Sequence, residues 1–366
     1  MNEWKTVRLG DVFIQQDKSK IKAGEGIDDG IYPFYTCSNE LTKRINTAQY
    51  KGPALIFGTG GKASVHFCSE DFSTSTDCLV YKTNKDVNLS LINKFLRNNI
   101  YLLENGFKGA GLQHISRDYI ANIEIPLPNI LEQNKLVTQF DLIESTIANH
   151  KSMLQKYDTL IKSRFIEMFG EPSKNTKKWK IKKLGDIIRV LGGYAFSSKD
   201  FKDSGIPVLR IGNINSGVFR PSNMVFWENE ETIEKYAIYP GDLVMSLTGT
   251  VGKDDYGNVC ILGNDYNKYY LNQRNAKLEI VSDLDRFYLS YLLKVPEIKS
   301  RLTNISRGIR QANIANKDIE SLKIPVPPID LQNDFAAFVQ QIDKSKFKIW
   351  LYINLCVIIE KRVFCV

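Results

Sequence analysis

The sequence is poor in the residues that build most catalytic and metal centres. It has 3 histidines and 6 cysteines in 366 residues. Cys37, Cys68, Cys78, Cys260, Cys356 and Cys365 form no CxxC pair, which removes the usual zinc and redox spacings. His66 and Cys68 share one face of an alternating run, and with no second pair at ligand spacing a half-buried strand accounts for them. His66, His114 and His150 are too dispersed to promote a Ser/His/Asp or Cys/His arrangement. The opening MNEWKTVRLG lacks a secretory apolar core, so a reducing cytoplasm is expected. The longest apolar run, IWLYINLCVII at 349–359, is too short to span a bilayer, and no membrane partner is expected. A composition of 43% hydrophobic and 25% charged residues excludes wholesale disorder. A net charge of +8 suits a nucleic-acid partner without requiring one.

Two glycine strings, GTGGK at 58–62 and GTVGK at 249–253, raise the question of a nucleotide site. A P-loop needs G-x-x-x-x-G-K-[ST]. Here Ile56 and Leu247 occupy the first-glycine positions, and Ala63 and Asp254 follow the lysines. Neither string opens a G-x-G-x-x-G helix. Both predict strand-ending turns with a glycine at positive φ. The only Pro-Pro, in Val326-Pro327-Pro328-Ile329, does not form the Asp/Asn-Pro-Pro-aromatic string of amino-methyltransferases. The chain shows no catalytic apparatus and no cofactor motif of its own.

What is present is an internal repeat. Trp4-Lys5 and Leu9-Gly10-Asp11 return as Trp179-Lys180 and Leu184-Gly185-Asp186, 175 positions on, and Gly30-Ile31 returns as Gly205-Ile206. GTGGK returns as GTVGK at 191, and IEIPLPNILEQN (123–134) as LKIPVPPIDLQN (322–333) at 199. Ordered anchors at drifting spacing indicate a duplicated domain whose second copy is longer in its interior. Each copy mixes β-rich runs, turn glycines and short helices, then exits through a Pro-x-Pro segment that holds the chain extended before a long helix.

The first long helix is expected from about Leu131 to Phe169, stopped by Gly170 and Pro172. Its stripe is Leu136, Phe140, Ile143, Ile147, His150, Leu154, Tyr157 and Ile161, a 4-3 alternation proper to a coiled-coil seam. The matching positions of the second helix are Phe335, Val339, Ile342, Lys346, Ile349, Ile353, Cys356 and Glu360, in phase but with a weaker seam. Two in-phase stripes after equivalent exits predict two globular domains held apart by a pair of helices packed on each other.

Polar and basic residues cluster at matched places in both copies. The first has Tyr35, Thr36, Ser38 and Asn39, then Lys62, then Lys108, Gln113 and His114. The second has Arg210, Asn213 and Asn215, then Lys253, then Asn272, Gln273 and Arg274, then Arg307, Arg310 and Gln311. Arg suits guanine, Asn and Gln suit adenine, and Lys mainly meets phosphate, so these clusters are the candidate DNA contacts. Two competing readings stand beside this one: a nucleotide-binding enzyme using the glycine turns, and a coiled-coil interaction protein with no DNA role.

The order W-K-x-x-x-L-G-D, then P-G-D-L-V-x-S-x-T-G-T-x-G-K (240–253), L-N-Q-R (271–274) and I-P-x-P-x-x-x-x-Q resembles the specificity subunit of type I restriction-modification systems, up to about Lys348. The resemblance implies a mixed α/β chain of two target-recognition domains (1–128 and 171–327). They would be joined and separated by two antiparallel coiled-coil helices (129–170 and 328–366) that set the spacing between half-sites. It implies double-stranded DNA, two methylation subunits and restriction subunits as partners, with S-adenosylmethionine, ATP and Mg bound by those partners. It implies association with the nucleoid through DNA. The tail 349–366 departs from the family pattern, being apolar nearly all round; either it is buried on every side or the end is shifted or truncated.

Overall fold

The structure, a computed structural model, describes residues 4–304 and 311–364. It divides into two compact units, one running to Ser152 and including the chain from Trp350 on, the other spanning Met153–Ile349. Each unit therefore keeps one end of each long helix.

In the first unit the opening strand Lys5–Arg8 pairs antiparallel with the exit strand Glu124–Leu127, with Lys5 opposite Leu127 and Arg8 opposite Glu124. In the second, Lys180–Lys183 pairs in the same way with Lys323–Val326. The W-K…L-G-D and I-P-x-P motifs, far apart in sequence, are thus hydrogen-bonded neighbours that close each domain. The Leu9 N–H donates to the Ile123 carbonyl at 3.0 Å, and the Leu184 N–H to that of Leu322 at 2.8 Å. Proline is tolerated here because a two-stranded ribbon leaves its outer edges unpaired.

The interiors share one plan. A four-stranded antiparallel sheet runs Ile14–Gln15, Cys78–Lys82, Ala54–Gly58, Ser64–Cys68 in the first unit. Its counterpart runs Ile188–Gly192, Asn275–Ile280, Leu243–Ser246, Val259–Ile261. A second sheet in each contains one parallel step, Tyr32–Tyr35 beside Ser73–Thr74 and Ile206–Leu209 beside Tyr269–Leu271. The helices Leu89–Asn98 and Arg286–Leu293 begin at Asn88 and Asp285, whose side chains cap the first free N–H groups.

The long helices are Ile130–Phe169 and Ile329–Phe364. The first ends as expected at Gly170, with φ of +76°. Trp179 of the second W-K motif donates its indole N–H to the Phe169 carbonyl at 2.9 Å, satisfying one of the helix's last acceptors. Within the second unit the helices run antiparallel. The Arg164 guanidinium lies 5.9 Å from the Phe338 ring, while Asp158, further back, meets Lys346, further on, at 2.6 Å.

The seam follows the stripe. Phe140, Ile161, Phe335, Val339 and Ile342 are buried, while Leu136, Ile143, Ile147, Leu154, Ile349 and Ile353 are half-buried. Its ends also serve the domain cores. Phe140 packs with Leu9, Leu55, Phe57 and Leu96. Phe165 and Phe169, which the stripe omitted, join Tyr288 and Phe335, with Phe169 4.7 Å from Tyr288 and Phe165 5.3 Å from Phe335 between ring centres.

The tail is helical through Phe364 but is not buried on every side. Ile353 and Cys356 are half-buried, whereas Leu351 and Leu355 are 56% and 51% exposed. No helix among the described residues is long and apolar enough to cross a membrane.

Candidate nucleic-acid interface

The two domains present one turn built by the same backbone hydrogen bonds. Ser75 N–H donates to the Tyr35 carbonyl and Asn272 N–H to that of Leu209, at 2.8 and 3.3 Å. Thr76 and Gln273 N–H donate to the carbonyls of Ile21 and Tyr194, each at 2.9 Å. The carbonyls of Asp77 and Arg274 accept from the N–H groups of Thr59 and Leu247, each at 2.8 Å. Thr74–Cys78 (TSTDC) and Leu271–Asn275 (LNQRN) are therefore the same turn, although they share no residue.

The glycine strings sit on the hairpin beside it. Gly58 pairs with Ser64 in the first unit, and Ser246 N–H donates to the Asn258 carbonyl in the second. By that register Gly58 corresponds to Ser246, not to Gly249 as the matched strings suggest. The tips still correspond: Gly61 and Gly252 have φ of +80° and +79°, which favours glycine at both. The second hairpin is longer by three residues on each arm, and its arm Thr248–Thr250 pairs with Gln311–Asn313. In the first unit a single bridge, Gly60 with His114, stands at that place. Each string turns back into a β-hairpin rather than opening a helix, so neither offers the helix N-terminus that a P-loop uses for phosphate.

These contacts gather several of the sequence-derived residues. In the first unit Lys62 is exposed at the tip, and Lys108 and His114 bridge one another beside Gly60. Gln113 is exposed, its carbonyl accepting from Gly61 N–H at 3.1 Å. Thr36 and Ser38 spend their hydroxyls locally, on the N–H groups of Ser38 and Glu40. Asn39 is exposed on the same loop. In the second unit a cleft of about 570 Å³ is lined by Phe201, Arg210, Asn223, Asn272, Gln273 and Arg274, among others. Arg210 donates to the Asn223 carbonyl at 2.7 Å and lies 5.9 Å from the Phe201 ring, while its buried Nε has no partner among the described residues. Lys253 is exposed at the second tip.

Other candidates are placed differently. Tyr35 is 7% exposed, at the end of a strand, its ring edge-on to Phe72, so it belongs to the core rather than to the loop surface. Asn213 is buried. Its amide donates to the carbonyls of Arg220 and Ser222 and accepts from Arg210 N–H, which commits both of its donors to holding the loop. Asn215 is half-buried, and its carbonyl accepts from Asn258. Arg307 and Arg310 lie outside the described residues, and Gln311 is placed only by its strand backbone.

Sequence reading missed Cys37 and Asp77. The Cys37 thiol donates to the Asp77 carbonyl at 3.0 Å and accepts from Gly60 N–H at 3.4 Å. Its contact with Cys78 holds it below the ordinary thiol range, the Gly60 and Thr59 backbone adding to this and burial opposing it. Burial lowers the His66 pKa, against a bond to the Ser38 carbonyl at 2.8 Å. Only the topological match of TSTDC to LNQRN points to Asp77, and no residue identity carries that match. Among the described residues no group of His, Cys, Asp and Glu side chains is placed to hold a metal ion.

Comparison with known proteins agrees with this architecture. The family model described as the type I restriction modification DNA specificity domain matches residues 1–156 and again 176–350. The MjaVIII specificity subunit of a type I restriction enzyme from Methanocaldococcus jannaschii is 24% identical over 93% of this chain and 86% of its own length. The EcoDI specificity subunit from Escherichia coli is 20% identical over 93% and 81%. The fold is similar to that of a type I restriction-modification S subunit from M. genitalium, with a TM-score of 0.65 at 15% identity, covering 99% of this chain and 95% of that one. With two copies of that domain in tandem, the chain belongs to the type I restriction-modification DNA specificity family, whose members supply target recognition and not the catalytic centre.

Proposed function

We propose that this chain reads a two-part duplex target, one domain per half-site, and docks two methylation subunits together with restriction subunits. S-adenosylmethionine, ATP and Mg are bound by those partners, and the assembly works in the cytoplasm on chromosomal DNA. The observation that supports this is the repetition of one backbone frame with different exposed side chains: Asp77 beside the Lys62 tip, and Gln273 and Arg274 beside the Lys253 tip. A conserved frame with divergent display fits two readers of different sequences, because backbone geometry fixes register while base-edge contacts specify. Replacing residues 1–128 by those of another family member, then mapping methylated adenines in the host genome, tests it. One half-site should change and the other persist; a change in both would refute the one-domain, one-half-site assignment.

A further inference from the structure

The equivalent turns differ most at one position. Asp77 in the first domain and Arg274 in the second have the same backbone role, each carbonyl accepting the hairpin N–H at 2.8 Å. In the first domain that carbonyl also accepts from the Thr59 hydroxyl and the Cys37 thiol, at 2.8 and 3.0 Å. In the second, the Arg274 N–H is held by the Asn272 side chain at 3.2 Å. The backbone of each residue is thus fixed from several sides. Both side chains are exposed, and neither makes a hydrogen bond or ion pair among the described residues. A rigid frame carrying a free charged group is the arrangement that presents a recognition element without a large ordering cost.

Resting on the tandem-reader function above, we propose that Asp77 and Arg274 are base-reading residues of opposite chemistry. Asp77 accepts from an exocyclic amino group, that of cytosine, in the half-site of the first domain. Arg274 donates to guanine O6 and N7 in the half-site of the second. The assignment follows from donor and acceptor inventories. A guanidinium carries only donors and matches the paired acceptors of guanine, whereas a carboxylate carries only acceptors and meets a donor on cytosine N4. An unpaired carboxylate close to DNA is repelled by phosphate, so an interface keeps one where it gains a base amino group and rejects bases lacking it. Arg274 also lines the cleft that holds Arg210, whose buried Nε lacks a partner among the described residues, and this adds acceptor-seeking character to that site. At the position matching Arg210 the first domain carries Thr36, so the two sites differ in charge at two places.

The test is selection of duplexes from a randomised double-stranded library by the full chain, comparing it with Asp77→Ala and Arg274→Ala. Because neither side chain has a hydrogen-bond or ion-pair partner among the described residues, both variants should melt with the parent. Arg274→Ala should relax the guanine requirement at one base pair of one half-site by about 10–100-fold, leaving the other half-site intact. Arg274→Lys, which keeps the charge but loses the fork, should relax the same position. Asp77→Ala should relax a cytosine in the other half-site. If Arg274→Ala instead weakens all duplexes alike and flattens the salt dependence, the residue is a phosphate contact and the proposal fails. If Asp77→Ala only tightens binding to every duplex, the carboxylate merely repels the backbone and the proposal fails for that half. If the unaltered chain selects no two-part motif, it is the tandem-reader function that fails.

Discussion

The buried side-chain oxygen of Gln332 accepts the backbone N–H of Asp285 at 2.9 Å, and its amide nitrogen donates to the Pro327 carbonyl at 2.8 Å. Gln133 repeats both bonds in the first unit, with Asn88 N–H and the Pro128 carbonyl, each at 2.8 Å. The glutamine of I-P-x-P-x-x-x-x-Q is therefore a staple between the exit segment, the long helix and the cap of a domain helix. Gln332→Met fills a similar volume but leaves a buried donor and a buried acceptor unpaired. It should cost about 2–4 kcal/mol in chemical denaturation. Retention of full stability would mean that packing, not hydrogen bonding, holds this joint.

The seam makes a second, contrasting prediction. Phe335 is fully buried against Phe165 and Phe169, while Ile166, beside them in sequence, is 45% exposed. Phe335→Ala should cost about 3–5 kcal/mol, as large-to-small changes in packed aromatic clusters do. Ile166→Ala should change stability by less than about 0.5–1 kcal/mol. Equal effects in thermal melts would argue against the assigned helix phase.

Helix phase and domain duplication were legible because each leaves many residues in step: a 4-3 stripe repeats, and W-K, L-G-D and I-P-x-P each occur twice. The strip joining those motifs was not legible, since pairing of Arg8 with Glu124 is a long-range choice with no local signal. The hairpin register was misread for a physical reason. GTGGK and GTVGK preserve the turn tip, where backbone conformation demands glycine, but the second hairpin lengthens between the tip and the sheet. Individual contacts were read less well than clusters. Tyr35 and Asn213 look like loop groups in sequence, yet the first ends a buried strand and the second bonds its own loop. Asp77 was overlooked because the frame shared by the two turns is built of main-chain hydrogen bonds, which leave no residue identity in common.

Lys62 and Lys253 stand exposed at the two hairpin tips, which suits phosphate contact. Replacing either by alanine should weaken binding to all duplexes about equally and lower the slope of log K against log salt by about 1. Titrations of one duplex at several salt concentrations measure this. An unchanged slope with altered sequence preference would assign the lysines to base reading instead.

His66 gives the first domain a pH dependence. Burial lowers its pKa below the usual value, partly offset by the Ser38 carbonyl and reinforced by the Arg97 charge. The unfolded chain then binds the proton more readily than the folded one as pH falls through about 6.5, so stability declines on acidification. Melting temperatures at neutral and mildly acidic pH should show a steeper decline for the parent than for His66→Phe. Parallel declines would remove His66 as the cause.

Cys37 should be the fast-reacting thiol among the cysteines of the two sheets. Its contact with Cys78 and the N–H groups of Gly60 and Thr59 favour the thiolate, although burial, the Asp77 charge and the thiol's own bond to the Asp77 carbonyl oppose it. The same contact and burial push Cys78 up, and burial raises Cys68 and takes Cys260 up to about 12. Alkylation depends on the thiolate fraction and on access, and Cys37 is half-exposed where the other three are buried. Iodoacetamide at neutral pH should therefore modify Cys37 at least about 10-fold faster than those three, as followed by peptide mass spectrometry. Because the Cys37 thiol bonds the Asp77 carbonyl, a specifically bound duplex should slow its modification and leave the buried three unchanged. Rapid alkylation that is indifferent to bound duplex would place the DNA contact elsewhere on the first domain.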